Sequence, residues 1–189
     1  MYVAIDPAST TTGLALFDDE QILEIIEIVG PGGSRRSSND RIRSISVELC
    51  GYLFDHPEIE LAVIEVPEGQ RRGRAGGQSH NAVAVAAFAT GFYAASLWNI
   101  AERPFALVTV RPSEWTKRRT KQTRIMEASM ILDCYEPDRS SWTDGLDAAA
   151  LALWWMDLED ETRQRRTAEA TRAIRGAILR NLPIRTNLP

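Results

Sequence analysis

The stretch IELAVIEV, Ile59–Val66, is apolar at nearly every position and carries a glutamate one residue before its end. A strand of that kind has no face to show to water, so it belongs inside a sheet covered on both sides. Sheets of that sort are built from strands joined through helices, which places the chain in the α/β class. The segments before it agree. MYVAID (1–6) reads as a short buried strand closed by Pro7, TTGLALF (11–17) as a second, and QILEIIEIV (21–29) as a third. Only a short acidic turn separates the last two, so the three strands predict an antiparallel meander.

A loop, GPGGSRRSSND, follows, in which Ser38, Asn39 or Asp40 can cap a helix running to about Phe54. Beyond the apolar strand come the loop PEGQRRGRAGGQSH, an alanine-rich helix from Asn81, and a fifth strand over Pro104–Val110. A helix is expected over Thr123–Leu132, and another opens near Asp144. The order β-β-β-α-β-α-β-α-α predicts a mixed five-stranded sheet flanked by helices. Its first three strands run antiparallel; the first, fourth and fifth run parallel. A length of 189 residues suits one sizeable core. The expected division is a domain over 1–158, then a charged C-terminal helix and tail over 159–189.

Net charge is −4, so no general basicity points to a polyanion, but the charges are unevenly placed. Residues 1–34 hold six acids and no Lys or Arg, whereas TKRRTKQTR (116–124) holds five bases and no acid. A second basic run lies over 163–175. Acidic and basic zones on one small domain suit a metal or acid site beside an anion-binding surface. Cys50 and Cys134 lack ligand spacing and fit reduced thiols. No run is long and apolar enough to span a membrane, and no basic-then-apolar leader opens the chain. The expected location is the cytoplasm of a bacterial cell, with a viral origin for the gene left open.

Two carboxylates sit where strands end. Asp6 ends the first strand and Glu65 interrupts the apolar run Leu61–Val66 of the fourth, each near a proline, Pro7 and Pro67. If those strands are parallel neighbours, both acids emerge at the carboxyl edge, where open α/β sheets bind ligands. In WTDGLDAAALALWW, Asp144 and Asp147 share the first turn and one face of a helix. The plain readings are a helix cap for this pair, a turn former for Asp6, and an arginine partner for Glu65. Four acids from three distant segments weigh against them. Close carboxylates repel unless a cation lies between them, and all-oxygen ligation suits Mg²⁺ or Mn²⁺.

Arg71, Arg72 and Arg74 follow Glu65 on a glycine-rich loop, while Arg111, Lys117, Arg118, Arg119 and Lys121 follow the fifth strand. All belong to the same end of the sheet, which makes them candidates for phosphate contact, against the alternative of a solvated charge run. Of five tryptophans, most suit the core; Trp115, beside the basic run, is the one to set against DNA.

Taken together, AIDPASTTTGLALF, LAVIEVPEG and DGLDAAALAL resemble the RuvC-type Holliday junction resolvases, members of the retroviral-integrase/RNase H-like superfamily. The resemblance covers about residues 2–156, and VRPSEWTK (110–117) is similar to a stretch found in phage-encoded members. It implies an RNase H-like fold and metal-binding catalytic acids at Asp6, Glu65, Asp144 and Asp147. It further implies two Mg²⁺ or Mn²⁺ ions per site and a homodimer acting on branched DNA. The implied activity is that of a crossover junction endodeoxyribonuclease leaving 5′ phosphates, in recombination, repair or phage DNA processing. Two departures stand out. Ala8 replaces the glycine usual after Asp-Pro, and the loop VPEGQRRGRAGG lacks the aromatic that often wedges junctions open. Flaps, forks and RNA therefore stay open as substrates. DPASTTTG also resembles a phosphate loop of actin-like ATP-binding domains, but the second loop and adenosine motif they need are not found in the sequence.

Overall fold

The computed structural model describes residues 1–32, 37–66, 91, 106–132 and 143–181. In chain order the elements are β1 (Tyr2–Asp6), β2 (Thr11–Phe17), β3 (Ile22–Val29), α1 (Ser38–Asp55), β4 (Leu61–Glu65), β5 (Ala106–Val110), α2 (Pro112–Trp115), α3 (Lys121–Ile131), α4 (Thr143–Met156) and α5 (Asp160–Asn181). Among the described residues, five strands form one sheet in the order β3-β2-β1-β4-β5. β1 pairs antiparallel with β2 and β2 with β3, while β1–β4 and β4–β5 are parallel. This is the mixed sheet that the order of elements predicts.

Alternation along each strand sorts the side chains onto two faces. On one face Ala4, Ala15, Phe17, Val63 and Val108 pack with Ala148, Ala149, Leu151, Ala152 and Trp155 of α4. On the other, Val3, Ile5, Leu14, Ala62 and Ile64 pack with Ile42, Ile45 and Leu49 of α1. β4 is buried from Leu61 to Ile64, as its unbroken apolar run requires. No described helix is long and apolar enough to cross a membrane.

The helix ends correct several expectations. Ser37, rather than Ser38, Asn39 or Asp40, caps α1: its Oγ accepts from the Asp40 N–H at 3.2 Å, and Asp40 Oδ2 accepts from the Ser37 N–H at 3.3 Å. That reciprocal box satisfies two end donors at once, which a cap one residue later would not. α3 starts two residues before the predicted Thr123, because Thr120 Oγ1 accepts from the Thr123 N–H at 3.2 Å and fixes the start there. The turn α2 was not expected from the sequence; Pro112 supplies a preset φ at its first position. The first turns of α5 lie along the domain. Arg163 reaches Asp19 at 3.0 Å, and Arg166 reaches Glu114 at 2.9 Å while lying 5.5 Å over the Trp154 ring. Cys50 is half-buried on α1. The alanine-rich helix from Asn81, Cys134, and the loop with Arg71, Arg72 and Arg74 lie outside the described residues.

Candidate active site

Register puts the site in a row across one face of the sheet. Asp6 pairs with Gly13, and Gly13 with Glu27. Glu65 stands one residue beyond the Ile5–Ile64 pair, next to Asp6. The row therefore reads Glu65, Asp6, Gly13, Glu27, on the face that also carries Ala4 and Val63. An acid following an apolar residue at a spacing of two must share that residue's face.

The start of α4 sits on this row at Gly13. A Cβ built on Gly13 would run into the Asp144 carbonyl and lie 2.7 Å from the Gly145 nitrogen. Gly145 is tight in return, since a Cβ there would lie 2.9 Å from Ile25 Cγ2. Two glycines thus let helix and sheet backbones touch. Glu27 completes the seat: its Oε1 accepts from the N–H groups of Asp144 and Gly145, both at 2.9 Å. The free donors of the first helical turn are met by a carboxylate from β3, which also faces the positive end of the helix dipole. Capping by Asp144 and Asp147, the plain expectation for that pair, is thus carried by Glu27 instead, and both aspartates turn elsewhere.

They turn toward two cations from α3. The Lys121 ammonium donates to Asp6 Oδ2 at 3.1 Å and Asp144 Oδ1 at 2.5 Å, and lies 3.6 Å from Asp147 Oδ2. Arg124 donates from Nε to Asp147 Oδ1 at 2.8 Å and from an Nη to Oδ2 at 2.7 Å. Its other Nη donates to the Arg119 carbonyl at 3.2 Å, and its guanidinium lies 4.5 Å over the Trp115 ring. The Trp115 indole N–H in turn donates to Glu65 Oε2 at 2.8 Å. Trp115 is 1% exposed, so it is no stacking platform for DNA; it props Glu65 and Arg124 from below.

Burial dominates the electrostatics. It lifts the Asp6 carboxyl from 3.8 to about 6, opposed by Lys121 and reinforced by Asp147 and Asp144. It lifts Glu65 from 4.5 to about 7, with Asp6 adding to the rise and the Trp115 hydrogen bond opposing it. Burial alone would lower the Lys121 pKa, but Asp6, Asp144 and Asp147 outweigh it and the net shift is upward.

Asp6, Asp144 and Asp147 are thus brought together around one ammonium, with Glu65 beside Asp6. A set of carboxylate oxygens that already gathers on a cation has the donor chemistry of a Mg²⁺ or Mn²⁺ site. Among the described residues, however, no group of three or more acidic, histidine or cysteine side chains is placed to hold a metal ion. Lys121 and Arg124 set the spacing instead. Of the candidate phosphate contacts, Lys117 and Arg118 are exposed on the turn before α3, in left-handed conformations with φ of 50° and 66°. Arg111 is exposed at the start of α2, and Arg119 pairs with Glu127. Lys121 is exposed, and its ammonium lies on Asp6 and Asp144.

Glu27, Gly13 and Arg124 escaped the sequence reading. Glu27 could have been found as a charge in period with Ile25 on a strand face that must be covered. Arg124 could have been found four residues before Ala128, on the stripe that α3 buries.

No family model and no curated protein matches the sequence. Solved structures do. The RuvC of T. thermophilus in complex with a Holliday junction substrate aligns with a TM-score of 0.57 at 16% identity, over 82% of this chain and 92% of that one. The fold is that of the RuvC-type resolvases. Thermus thermophilus RuvC in a second structure gives 0.54 at 15% identity, over 82% and 93% of the two chains. The yeast mitochondrial Holliday junction resolvase gives 0.51 at 12% identity, over 96% and 86%. At these identities the likeness is one of fold, and this chain shares the RNase H-like architecture of both resolvases.

Proposed function

We propose that the chain is a metal-dependent, structure-selective endonuclease that cuts four-way DNA junctions. The observation that carries this reading is the gathering of Asp6, Asp144 and Asp147 on a single cation, with Glu65 next in the row, on a fold shared with junction resolvases. The residues that would hold divalent metal are drawn from Asp6, Glu65, Asp144 and Asp147. When bound, Mg²⁺ or Mn²⁺ would supply activation of the attacking water and stabilisation of the leaving 3′ oxygen, giving a 5′ phosphate. The chain's own residues do the rest. The sheet row fixes Asp6 and Glu65 relative to each other, and the Gly13–Glu27 seat fixes Asp144 and Asp147 against them. Lys117, Arg118 and Arg111 face solvent at this edge of the sheet and suit backbone phosphates; Arg71, Arg72 and Arg74, which follow Glu65 in the sequence, are proposed for the same role. Paired cuts in a symmetric junction need two such sites related by a two-fold axis, hence a homodimer.

The test is a nicking assay on a labelled four-way junction, with linear duplex, flap and single-stranded controls, in Mg²⁺, Mn²⁺ and EDTA. Paired symmetric cuts confined to the junction, absent in EDTA and in Asp6→Asn and Asp144→Asn, are expected. Cutting spread over flaps or forks would keep the nuclease and discard junction selectivity, as the aromatic-free loop after Glu65 would allow. Activity that survives both substitutions would end the metal reading.

A further inference from the structure

The turn between α2 and α3 is built against the preference of its residues. The Arg119 N–H donates to the Thr116 carbonyl at 2.9 Å and closes a tight turn with Lys117 and Arg118 at its centre. Both central residues have positive φ, 50° and 66°. Turns of that form favour Asn and Gly, because a Cβ crowds the backbone in the left-handed region. Here the two strained positions carry long cationic side chains, and both residues are exposed. Asparagine and glycine would make the same turn more easily but would bring no charge.

Strain of this kind persists only where the surroundings enforce it, and here they do so from both ends. Thr116 is buried, and Trp115 before it is buried too and donates to Glu65 at 2.8 Å. Beyond the turn, the Arg119 carbonyl accepts from Arg124 at 3.2 Å, and the same guanidinium holds Asp147. The Arg119 side chain folds back, donating from Nε to the Thr116 carbonyl at 3.2 Å and pairing with Glu127. The turn is thus tied to two of the acids, through Trp115 to Glu65 and through Arg124 to Asp147.

We propose that this turn is a preformed phosphate-binding element, in which Lys117 and Arg118 are kept in strained conformations so that both cations meet the DNA backbone beside the acid row. This rests on the nuclease reading above and gives the strain a role. Cations fixed in advance lose less freedom on binding than cations on a flexible loop, so stability given up in the turn returns as affinity.

The experiment compares two double variants that lose the same two charges. Lys117→Ala with Arg118→Ala keeps a Cβ at both left-handed positions, whereas Lys117→Asn with Arg118→Gly relieves them. Binding of each full chain to a labelled four-way junction is read by fluorescence anisotropy in EDTA over a series of KCl concentrations, with Tm measured alongside. Both variants should bind about tenfold or more weakly than wild type, and the slope of log affinity against log salt should become shallower by about two. The second variant should melt about 4 °C above the first. Binding within about threefold of wild type, or an unchanged salt slope, would overturn the phosphate role and leave the nuclease reading in place. Equal melting of the two variants would remove the strain, and the proposal with it. Wild-type protein that binds no junction would overturn the proposal and junction cutting together.

Discussion

Replacing Glu27 tests whether the seat of α4 is built as described. Its carboxylate accepts two backbone N–H groups, from Asp144 and Gly145, at 2.9 Å each. Glu27→Ala removes both acceptors. Loss of a helix cap costs about 1 kcal/mol, loss of the charge at the helix N-terminus about 0.5 kcal/mol, and stranding half-buried donors adds about 1 kcal/mol. The sum is about 2–3 kcal/mol, or a fall in Tm of about 5–10 °C for a chain of this size. Glu27→Gln keeps one carbonyl acceptor and gives up the charge, so it should cost about 1 kcal/mol or less. Urea denaturation in EDTA reads all three proteins under conditions where metal cannot mask the difference. Glu20→Ala, in the exposed turn before β3, should stay within about 0.5 kcal/mol of wild type. If Glu27→Ala matches the Glu20 control, or if Gln and Ala cost the same, the two N–H groups are satisfied by something else and the seat is misread.

Gly13→Ala should be more damaging than its size suggests, because the new methyl meets backbone and not a flexible side chain. A loss of about 3 kcal/mol and of nicking activity is expected by urea denaturation and the junction assay; an unchanged midpoint would refute the close approach. Asp6 and Glu65 carry folded-state pKa values raised to about 6 and about 7, so the folded chain binds those protons more tightly than the unfolded one. Their contribution is present below about pH 4 and lost as pH rises through 6 and 7, each on the order of 3 kcal/mol. In EDTA, Tm should therefore fall from pH 5 to pH 8, less so in Asp6→Asn; Mn²⁺ should reverse the slope, since it needs the ionised forms. A slope in EDTA that Asp6→Asn and Glu65→Gln both leave intact would assign it to other groups. Lys121→Met leaves Asp6 and Asp144 without their ammonium, so Mn²⁺ affinity by calorimetry should rise about tenfold; a drop would make Lys121 a helper of metal binding and not its competitor.

The layout of the sheet was legible because its signals are local. An apolar run with no polar face, an alternating pair of strands across a tight turn, and strand-ending prolines each speak for themselves. Asp6 and Glu65 stood out for a related reason: a carboxylate inside or at the end of a buried strand is costly, so its presence needs an explanation. What was not legible depends on pairing between distant segments. Glu27 and Asp144 are 117 positions apart, and nothing in either neighbourhood announces the other. Arg124 sits at the end of a basic run that reads as solvent-facing, yet α3 turns it inward with Ala128. Trp115 was set against DNA for its place in sequence; the turn α2 carries it under the sheet edge to Glu65 instead.

The same row explains why α4, the most apolar of the described longer helices, begins with two acids. Its Ala and Leu residues are held by the sheet over several turns, which locks its axis, but its depth along that axis is set only where Gly13 lets it touch down. A helix placed by apolar contacts alone can slide by part of a turn at small cost, because Ala–Leu surfaces are nearly uniform. The Glu27 hydrogen bonds and the Gly13 contact are not uniform. They accept one position, and that position brings Asp144 and Asp147 level with Asp6. Lys121 and Arg124 then reach the acids from α3 on the opposite side, so the carboxylates are clamped between a seat that fixes height and two cations that fix spacing.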